Sequence, residues 1–455
     1  MTSTKNILLI NPWIHDFAAY DLWVSPLGLL YLASLLRKNG CSVRLVNCLN
    51  PRYRLTDKQS GVSTSKRSPY GHGKFPKERI AKPPPLENVP RFYHRYGITP
   101  QIFAEEIRSG PNPDVILVTS MMTYWYPGVF EAIRMASEIF PGVPIVLGGN
   151  YVTLCRDHAA EHSGADFVIS GEGEQNLPSL LKNLLGKDFD FLPKWENFDS
   201  YPYPAFDLLS PLLHIPILTS KGCPFRCTYC ASPLLSPVFR RRDPILVADE
   251  IAFWHKHTGI CDFSIYDDAF LYKPDEMAVP LLKEVLKRGL PCRFHCPNGL
   301  HLREVTEELA RLLFQARFTT IRFGFETSDP KAQAATGGKA TNEHIVNAVQ
   351  WLRRAGYQEH DIGIYILCGL PGQTANEVRE TIRFVRSCKA MPHVAEFSPI
   401  PGTALWKDAL NVSRYDIGRE PLYQNNTLLP CLGEDLTLED YRSLKQSAKN
   451  DLKSL

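Results

Sequence analysis

A chain of 455 residues is long for a single hydrophobic core, so two domains are expected. Its 44% hydrophobic content is ordinary for soluble globular protein, and a net charge of +3 does not by itself indicate a polyanionic partner. Twelve cysteines occur without a signal-peptide pattern or an apolar run long enough to span a bilayer, so they read as metal ligands or buried thiols in a reducing, cytoplasmic compartment rather than as disulfides.

Residues 1–185 alternate short apolar runs with amphipathic stretches, the βα pattern of a doubly wound parallel sheet. The runs at 6–10, 42–46, 114–118, 144–147 and 166–169 predict strands, and 26–39, 127–140 and 174–185 predict helices, with Gly40 stopping the first. Ligands of such sheets lie beyond the carboxyl ends of the strands, so the loops opening at Asn11, Thr119, Gly148 and Ser170 are the ones to watch.

From about residue 50 to 97 a polar, proline-rich insertion interrupts the pattern, with eleven Lys/Arg against three acids between positions 51 and 100. It reads equally as a solvated excursion or as a lid or docking arm, since Tyr53, Tyr70, Phe75, Phe92, Tyr93 and Tyr96 give it more aromatics than a disordered tail carries.

A connector over 186–214, centred on Tyr201-Pro-Tyr-Pro204, marks the domain boundary. Beyond it, strands are predicted at 215–218, 262–266, 293–296, 320–325, 363–367 and 394–397, with helices between them. Six βα units over 215–405 are too few to close an eight-stranded barrel, and residues 406–455 read as a helical extension.

Just after the first of these strands, Cys223, Cys227 and Cys230 are spaced C-x3-C-x2-C. A structural zinc site would need a fourth ligand and usually paired spacings, and the next cysteine is Cys261. Three close thiolates suit an iron–sulfur cluster with one iron left open. Cys292 and Cys296 lie four apart on one strand face without a neighbouring pair, and read as buried thiols.

The cysteine run resembles the signature of the radical SAM enzymes, whose open iron chelates the amine and carboxylate of S-adenosylmethionine (SAM). The resemblance implies that the six βα units over 215–405 form the partial (β/α)6 barrel of the TIM type that is the radical SAM core, with a [4Fe-4S] cluster on Cys223, Cys227 and Cys230 and Tyr229 near the adenine. It places Tyr266 and Asp267 at the methionine amine through backbone carbonyls, since Tyr-Asp-Asp stands where Gly-Gly-Glu is common. Glu326, ending the run Arg322-Phe-Gly-Phe-Glu326, would face the ribose or amine; the alternative is a strand-end carboxylate paired with a cation such as Arg322. Gly369 and Gly372 would expose backbone to adenine, and Pro399–Thr403 resembles the adenine-side loop after the sixth strand.

Upstream, Thr119-Ser120, Gly148-Gly149 and Gly171-Glu-Gly173 follow successive strands and together resemble the cobalamin-binding domain of the B12-dependent radical SAM subclass. The glycines would open a cleft for the corrin and its tail, with Thr119 and Ser120 donating hydrogen bonds. The Asp-x-His-x-x-Gly motif that ligates cobalt from below is absent, Asp157-His158 lacking its spacing, so the loop Met121–Tyr126 is expected under the cobalt.

The resemblance implies a cobalamin-dependent radical SAM methyltransferase that moves CH3 from methylcobalamin to an unactivated carbon, fed by an external flavodoxin- or ferredoxin-type donor. The rivals are a ring-rearranging or cyclising enzyme without methyl transfer, an RNA-modifying enzyme docking through the basic insertion, and a non-enzymatic carrier. Against RNA stands the lack of a dedicated RNA-binding domain. No motif names the substrate.

Overall fold

The computed structural model describes residues 4–50, 67–191 and 196–449, which divide into two compact units. The first runs to Leu213 and includes Glu420–Tyr423; the second runs from His214 to Arg419 and resumes at Gln424.

The first unit runs β1 (Asn6–Asn11), β2 (Ile14–Asp16), α1 (Leu27–Lys38), β3 (Ser42–Asn47), β4 (Lys77–Ile80), β5 (Tyr93–Tyr96), α2 (Pro100–Arg108), β6 (Val115–Val118), α3 (Tyr126–Ile139), β7 (Ile145–Gly148), α4 (Asn150–Leu154), α5 (Arg156–His162), β8 (Phe167–Ile169) and α6 (Gly173–Leu185). Its parallel sheet has the order β3-β1-β6-β7-β8. Strand alternation sends Ile7, Leu9, Val115 and Leu117 to a core with α1 and α6, and Leu8, Ile10, Ile116 and Val118 to a core with α2 and α3. The sheet is therefore doubly wound, and the strand order reverses between β1 and β6, where such sheets bind their ligands.

The described part of the insertion is not a bare excursion. β4 pairs antiparallel with β5, and β5 with β2, giving a small second sheet. Phe75, Tyr93 and Tyr96 are buried in it, and the Tyr93 hydroxyl donates to the His15 carbonyl at 2.9 Å. Phe92 is exposed, and Tyr53 lies outside the described residues. The connector is also packed: Ser34 Oγ on α1 donates to Tyr203 O at 2.7 Å, and Ala205 N to Leu30 O at 3.1 Å.

The second unit runs β9 (Ile215–Ile217), β10 (Ser220–Lys221), α7 (Ser232–Leu235), β11 (Arg240–Arg241), α8 (Pro244–Thr258), β12 (Asp262–Ile265), α9 (Ala278–Lys287), β13 (Arg293–His295), β14 (Leu300–His301), α10 (Glu307–Gln315), β15 (Phe318–Glu326), α11 (Pro330–Ala335), α12 (Asn342–Ala355), β16 (Ile362–Cys368), α13 (Ala375–Ser387), β17 (Met391–Glu396), α14 (Trp406–Val412) and α15 (Leu438–Ser447). Its parallel strands neighbour one another in chain order, β9-β12-β13-β15-β16-β17. Right-handed crossovers then put every connecting helix on one face and leave the other as a lumen, the partial (β/α)6 barrel. On β15, Phe325 stacks on Phe384 of α13, so Ile321, Phe323 and Phe325 face the helices and Thr320, Arg322 and Gly324 the lumen. The C-terminal residues do not stand apart: α15 packs on α13, and Tyr441 and Lys445 both bond Glu396 of β17.

Low in the lumen, Asp262 accepts from Arg293 (2.6 Å) and His295 (3.0 Å). Burial would raise its carboxyl, but these bonds outweigh that and bring it to about 2. A depressed carboxylate stabilises the fold above its unfolded pKa and ceases to do so as pH falls through the folded one. Asp262→Asn should thus cost about 1–2 kcal/mol at pH 7, after allowance for solvent screening, and progressively less as pH falls through about 2. Urea midpoints of both proteins across that range check this; a cost independent of pH would refute the assignment.

Candidate functional site

The three cysteines lie on the loop leaving the carboxyl end of β9, at the barrel mouth, and all are partly buried. The loop is held from several sides. At its root the buried Asp267 carboxylate accepts from Thr219 N (2.8 Å), Thr219 Oγ1 (2.6 Å) and Ser220 Oγ (2.6 Å). Farther along, Thr228 N donates to Thr336 O at 3.3 Å, and Leu405 N donates to Thr228 O at 3.0 Å. Cys230 Sγ receives the Ser232 amide at 3.4 Å at the start of α7.

The thiols lie close enough to influence one another's charge: burial pushes Cys223 up to about 11, and the neighbouring Asp268, Cys230 and Cys227 add to the rise. Burial also raises Cys227, with Lys339 working against it. Such thiols become thiolates readily only when a cation takes them. Three soft donors on one short loop, each free to take its own iron, fit a cluster with an open iron.

Beside the loop, Glu326 ends β15 with φ +73, a left-handed conformation uncommon for a non-glycine residue and frequent where sites hold strain. Its Oε1 accepts from Tyr229 Oη at 3.0 Å and pairs with Lys339 Nζ at 3.4 Å. The partner cation is therefore Lys339, not Arg322, whose Nη1 donates to Ile321 O at 3.1 Å. The bare Cα of Gly324 makes room, since a Cβ there would lie 2.7 Å from Glu326 Oε1.

Asp267 turns its side chain to the loop root, and burial raises its carboxyl to about 6 despite the three donors. Its backbone carbonyl and that of Tyr266 accept from Asn298 Nδ2 at 3.3 and 3.0 Å. Asn298, between β13 and β14, and Lys339, between α11 and α12, carry no sequence motif, because each reaches the site from its own separate loop. Gly369 and Gly372 both have positive φ, and Gln373 braces their turn by accepting from Gly369 N at 2.8 Å.

In the first unit the glycine loops gather at the carboxyl edge of the sheet, and several of their groups serve the turns themselves. Ser120, expected as a donor to corrin, is buried and donates inward to Gly148 O at 2.7 Å, while its own carbonyl accepts from Asn150 N at 3.0 Å. Gly149 (φ +99) presses on the Ser120 backbone, Gly171 N donates to Thr153 Oγ1 at 2.9 Å, and Gly173 abuts Leu32. Gly148 has the free space, with only Ile169 O within 4 Å of a built Cβ, and Thr119 is half-buried at the end of β6.

The Met121–Tyr126 loop is a tight turn anchored by Trp125 Nε1 donating to the buried Asp16 at 2.7 Å, and Met122 is its exposed side chain. The histidines nearby are committed to protein partners. His158 Nδ1 lies 2.5 Å from the Tyr151 hydroxyl, and burial, reinforced by His162, lowers it to about 4. His15, which follows β1, is buried and paired with Glu131 at 3.1 Å.

Residues 217–385 match the family model of the radical SAM superfamily, and residues 93–181 that of the B12 binding domain. An uncharacterized methyltransferase of Pyrococcus horikoshii is 26% identical over 66% of this chain and 70% of its own. Cytidylyl-2-hydroxyethylphosphonate methyltransferase of Streptomyces wedmorensis is 22% identical over 92% of this chain and 84% of its own. Among solved structures, the radical SAM methyltransferase TsrM of Kitasatospora setae, with cobalamin and a [4Fe-4S] cluster bound, superposes with a TM-score of 0.65 at 17% identity, covering 91% of this chain and 76% of that one. That likeness carries the fold.

Proposed function

We propose that this chain, a member of the cobalamin-binding radical SAM family, is a methyltransferase acting on an unactivated carbon of its substrate. The observation that carries the reading is the union, in one polypeptide, of a three-thiol loop at a barrel mouth with a B12 binding domain. When bound, the cluster and SAM supply a hydrogen-abstracting radical and cobalamin supplies the methyl group.

The protein's own work is holding and orienting. Cys223, Cys227 and Cys230 hold the cluster. Glu326, steadied by Tyr229 and Lys339, would offer its carboxylate to the ribose or ammonium of SAM, and the backbone at Tyr266 and Asp267, held by Asn298, would meet the methionine amine. Gly369 and Gly372 leave backbone open for adenine. In the first unit, Thr119 and Gly148 would line the corrin cleft, Ser120, Gly149, Gly171 and Gly173 fix its turns, and the Met121–Tyr126 loop would border it. An external flavodoxin- or ferredoxin-type reductant met in the cytoplasm completes the proposal. Among the described residues no helix is long and apolar enough to cross a membrane.

Anaerobic turnover of cobalamin-loaded, cluster-reconstituted protein with methyl-labelled SAM tests the reading. It should form S-adenosylhomocysteine together with 5′-deoxyadenosine and move the label to protein-bound corrin; 5′-deoxyadenosine alone would reject methyl transfer.

A further inference from the structure

Arg322 does not pair with Glu326, the carboxylate that ends its own strand. It sits on the lumen face of β15, four residues below Glu326 and so about 13 Å deeper along the strand at the usual rise per residue. Its one hydrogen bond goes to the carbonyl of the preceding residue, and among the described residues no carboxylate lies within ion-pair distance of it. The acid whose charge reaches it, Asp361 at the foot of β16, accepts from Gln358 N at 2.8 Å and lies 3.5 Å from His360. A half-buried guanidinium normally finds an anion, because desolvating it uncompensated is costly.

The lumen is shaped around this side chain. Arg322 is in register with Gly363 on β16, and a Cβ on Gly363 would lie 2.5 Å from Arg322 Cδ, so the missing side chain is what gives the arginine its space. One step up the same face, Tyr365 of β16 is in register with His393 of β17, and their rings meet edge to face at 6.1 Å. Both are half-buried and both feel the Arg322 charge. The Tyr365 hydroxyl gives its proton to Pro297 O at 3.1 Å. Burial, with Arg322 adding to it, lowers His393 to about 4, so near neutral pH the imidazole is uncharged and donates one N–H without a counter-ion of its own. The Arg322 guanidinium and the His393 N–H thus offer donors with no negative charge among them, Tyr365 walling their side.

We propose that Arg322, with His393 and Tyr365 beside it, is an oxyanion-recognition site in the barrel lumen, and that the substrate carries a carboxylate or a phosphorus oxyanion that docks there. The assignment rests on the lumen being where this enzyme holds its substrate. A planar guanidinium receives two oxygens of either group side by side, which fixes orientation as well as position. The anchor would set which carbon faces the radical, because a group pinned deep in the lumen leaves the rest of the molecule pointing toward the mouth.

The test uses the full chain with its cluster reconstituted and SAM present. Acetate, methylphosphonate and the neutral acetamide are titrated while the thermal midpoint is followed. Acetate or methylphosphonate should raise the midpoint saturably and acetamide should not, the stronger of the two anions identifying the group. Arg322→Gln should weaken that response about tenfold or more, as expected for loss of a charge-assisted contact. Gly363→Ala, which displaces the arginine without removing it, should weaken it as well. SAM affinity by equilibrium dialysis should be the same in all three proteins.

No anion response in the wild type, an undiminished response in Arg322→Gln, or a parallel loss of SAM binding would each overturn the proposal. Wild-type formation of S-adenosylhomocysteine and 5′-deoxyadenosine, measured separately, reports on the enzyme reading. Its absence with anion binding intact would sink that reading alone.

Discussion

Cys227→Ala should yield a folded chain that retains no stoichiometric iron–sulfur cluster and forms 5′-deoxyadenosine only at background. The fold should survive because the loop is tied down by groups other than its thiols: the Thr336 and Thr228 carbonyls take the Thr228 and Leu405 amides, and Asp267 holds Thr219 and Ser220 at the root. Removing one partly buried sulfur from such a loop should cost about 1 kcal/mol, the centre of the range for single substitutions. The chemistry should not survive, since the motif supplies three thiolates and none is spare. Cys261→Ala, outside the motif, is the control and should keep both cluster and turnover. Iron and sulfide content, with product chromatography after anaerobic reduction, decide the matter. A Cys227→Ala protein with full iron and normal SAM cleavage would remove the loop from the chemistry.

The sequence carried the parts of this site that are local. A spacing of three cysteines is visible in eight residues, and the five strands of the first sheet were legible to within a residue at each end because strands buried on both faces read as unbroken apolar runs. The barrel strands were legible from the apolar residues of their helix-facing side, although the last, β17, begins three residues before the predicted run at 394–397. Less legible was the β2-β5-β4 sheet: in Tyr93-His-Arg-Tyr96 the buried aromatics are separated by two polar residues, which obscures a period of two, and prolines surround the strand.

Partners supplied by tertiary structure were out of reach. A strand-end Glu326 demands a cation, and Arg322 is the obvious one in sequence, yet alternation and the bulge between Gly324 and Glu326 bring the carboxylate over Gly324 to Lys339, thirteen residues on. That substitution of one cation for another is also what leaves Arg322 facing the lumen. Ser120 follows the same logic. A serine after a strand reads as a donor to whatever the loop binds, whereas here its proton closes the Gly148–Gly149 turn.

That turn yields the second large effect, and two adjacent glycines separate its possible causes. Gly149 has φ +99, where a side chain is strained by about 1–3 kcal/mol. Its added Cβ would also land on the Ser120 carbonyl and lie 2.7 Å from the Ser120 amide, backbone atoms that cannot swing aside. Overpacking of that kind adds a further 1–3 kcal/mol or so, bringing Gly149→Ala to roughly 2–6 kcal/mol, a large share of a domain's typical stability. Gly148→Ala is chemically the same change one residue earlier, but its Cβ would meet only Ile169 O at 3.6 Å, an ordinary contact. It should cost no more than about 0.5–1 kcal/mol. If the turn also shapes the corrin cleft, cobalamin retained after anaerobic purification should fall sharply in Gly149→Ala at temperatures where the chain is still folded. In Gly148→Ala the new methyl enters the open space itself, so corrin retention should fall there without a matching loss of stability. Urea midpoints measured alongside extracted corrin separate the two. Equal stabilities would show that the turn yields more easily than its geometry allows, and undiminished corrin in both variants would take the cleft away from these glycines.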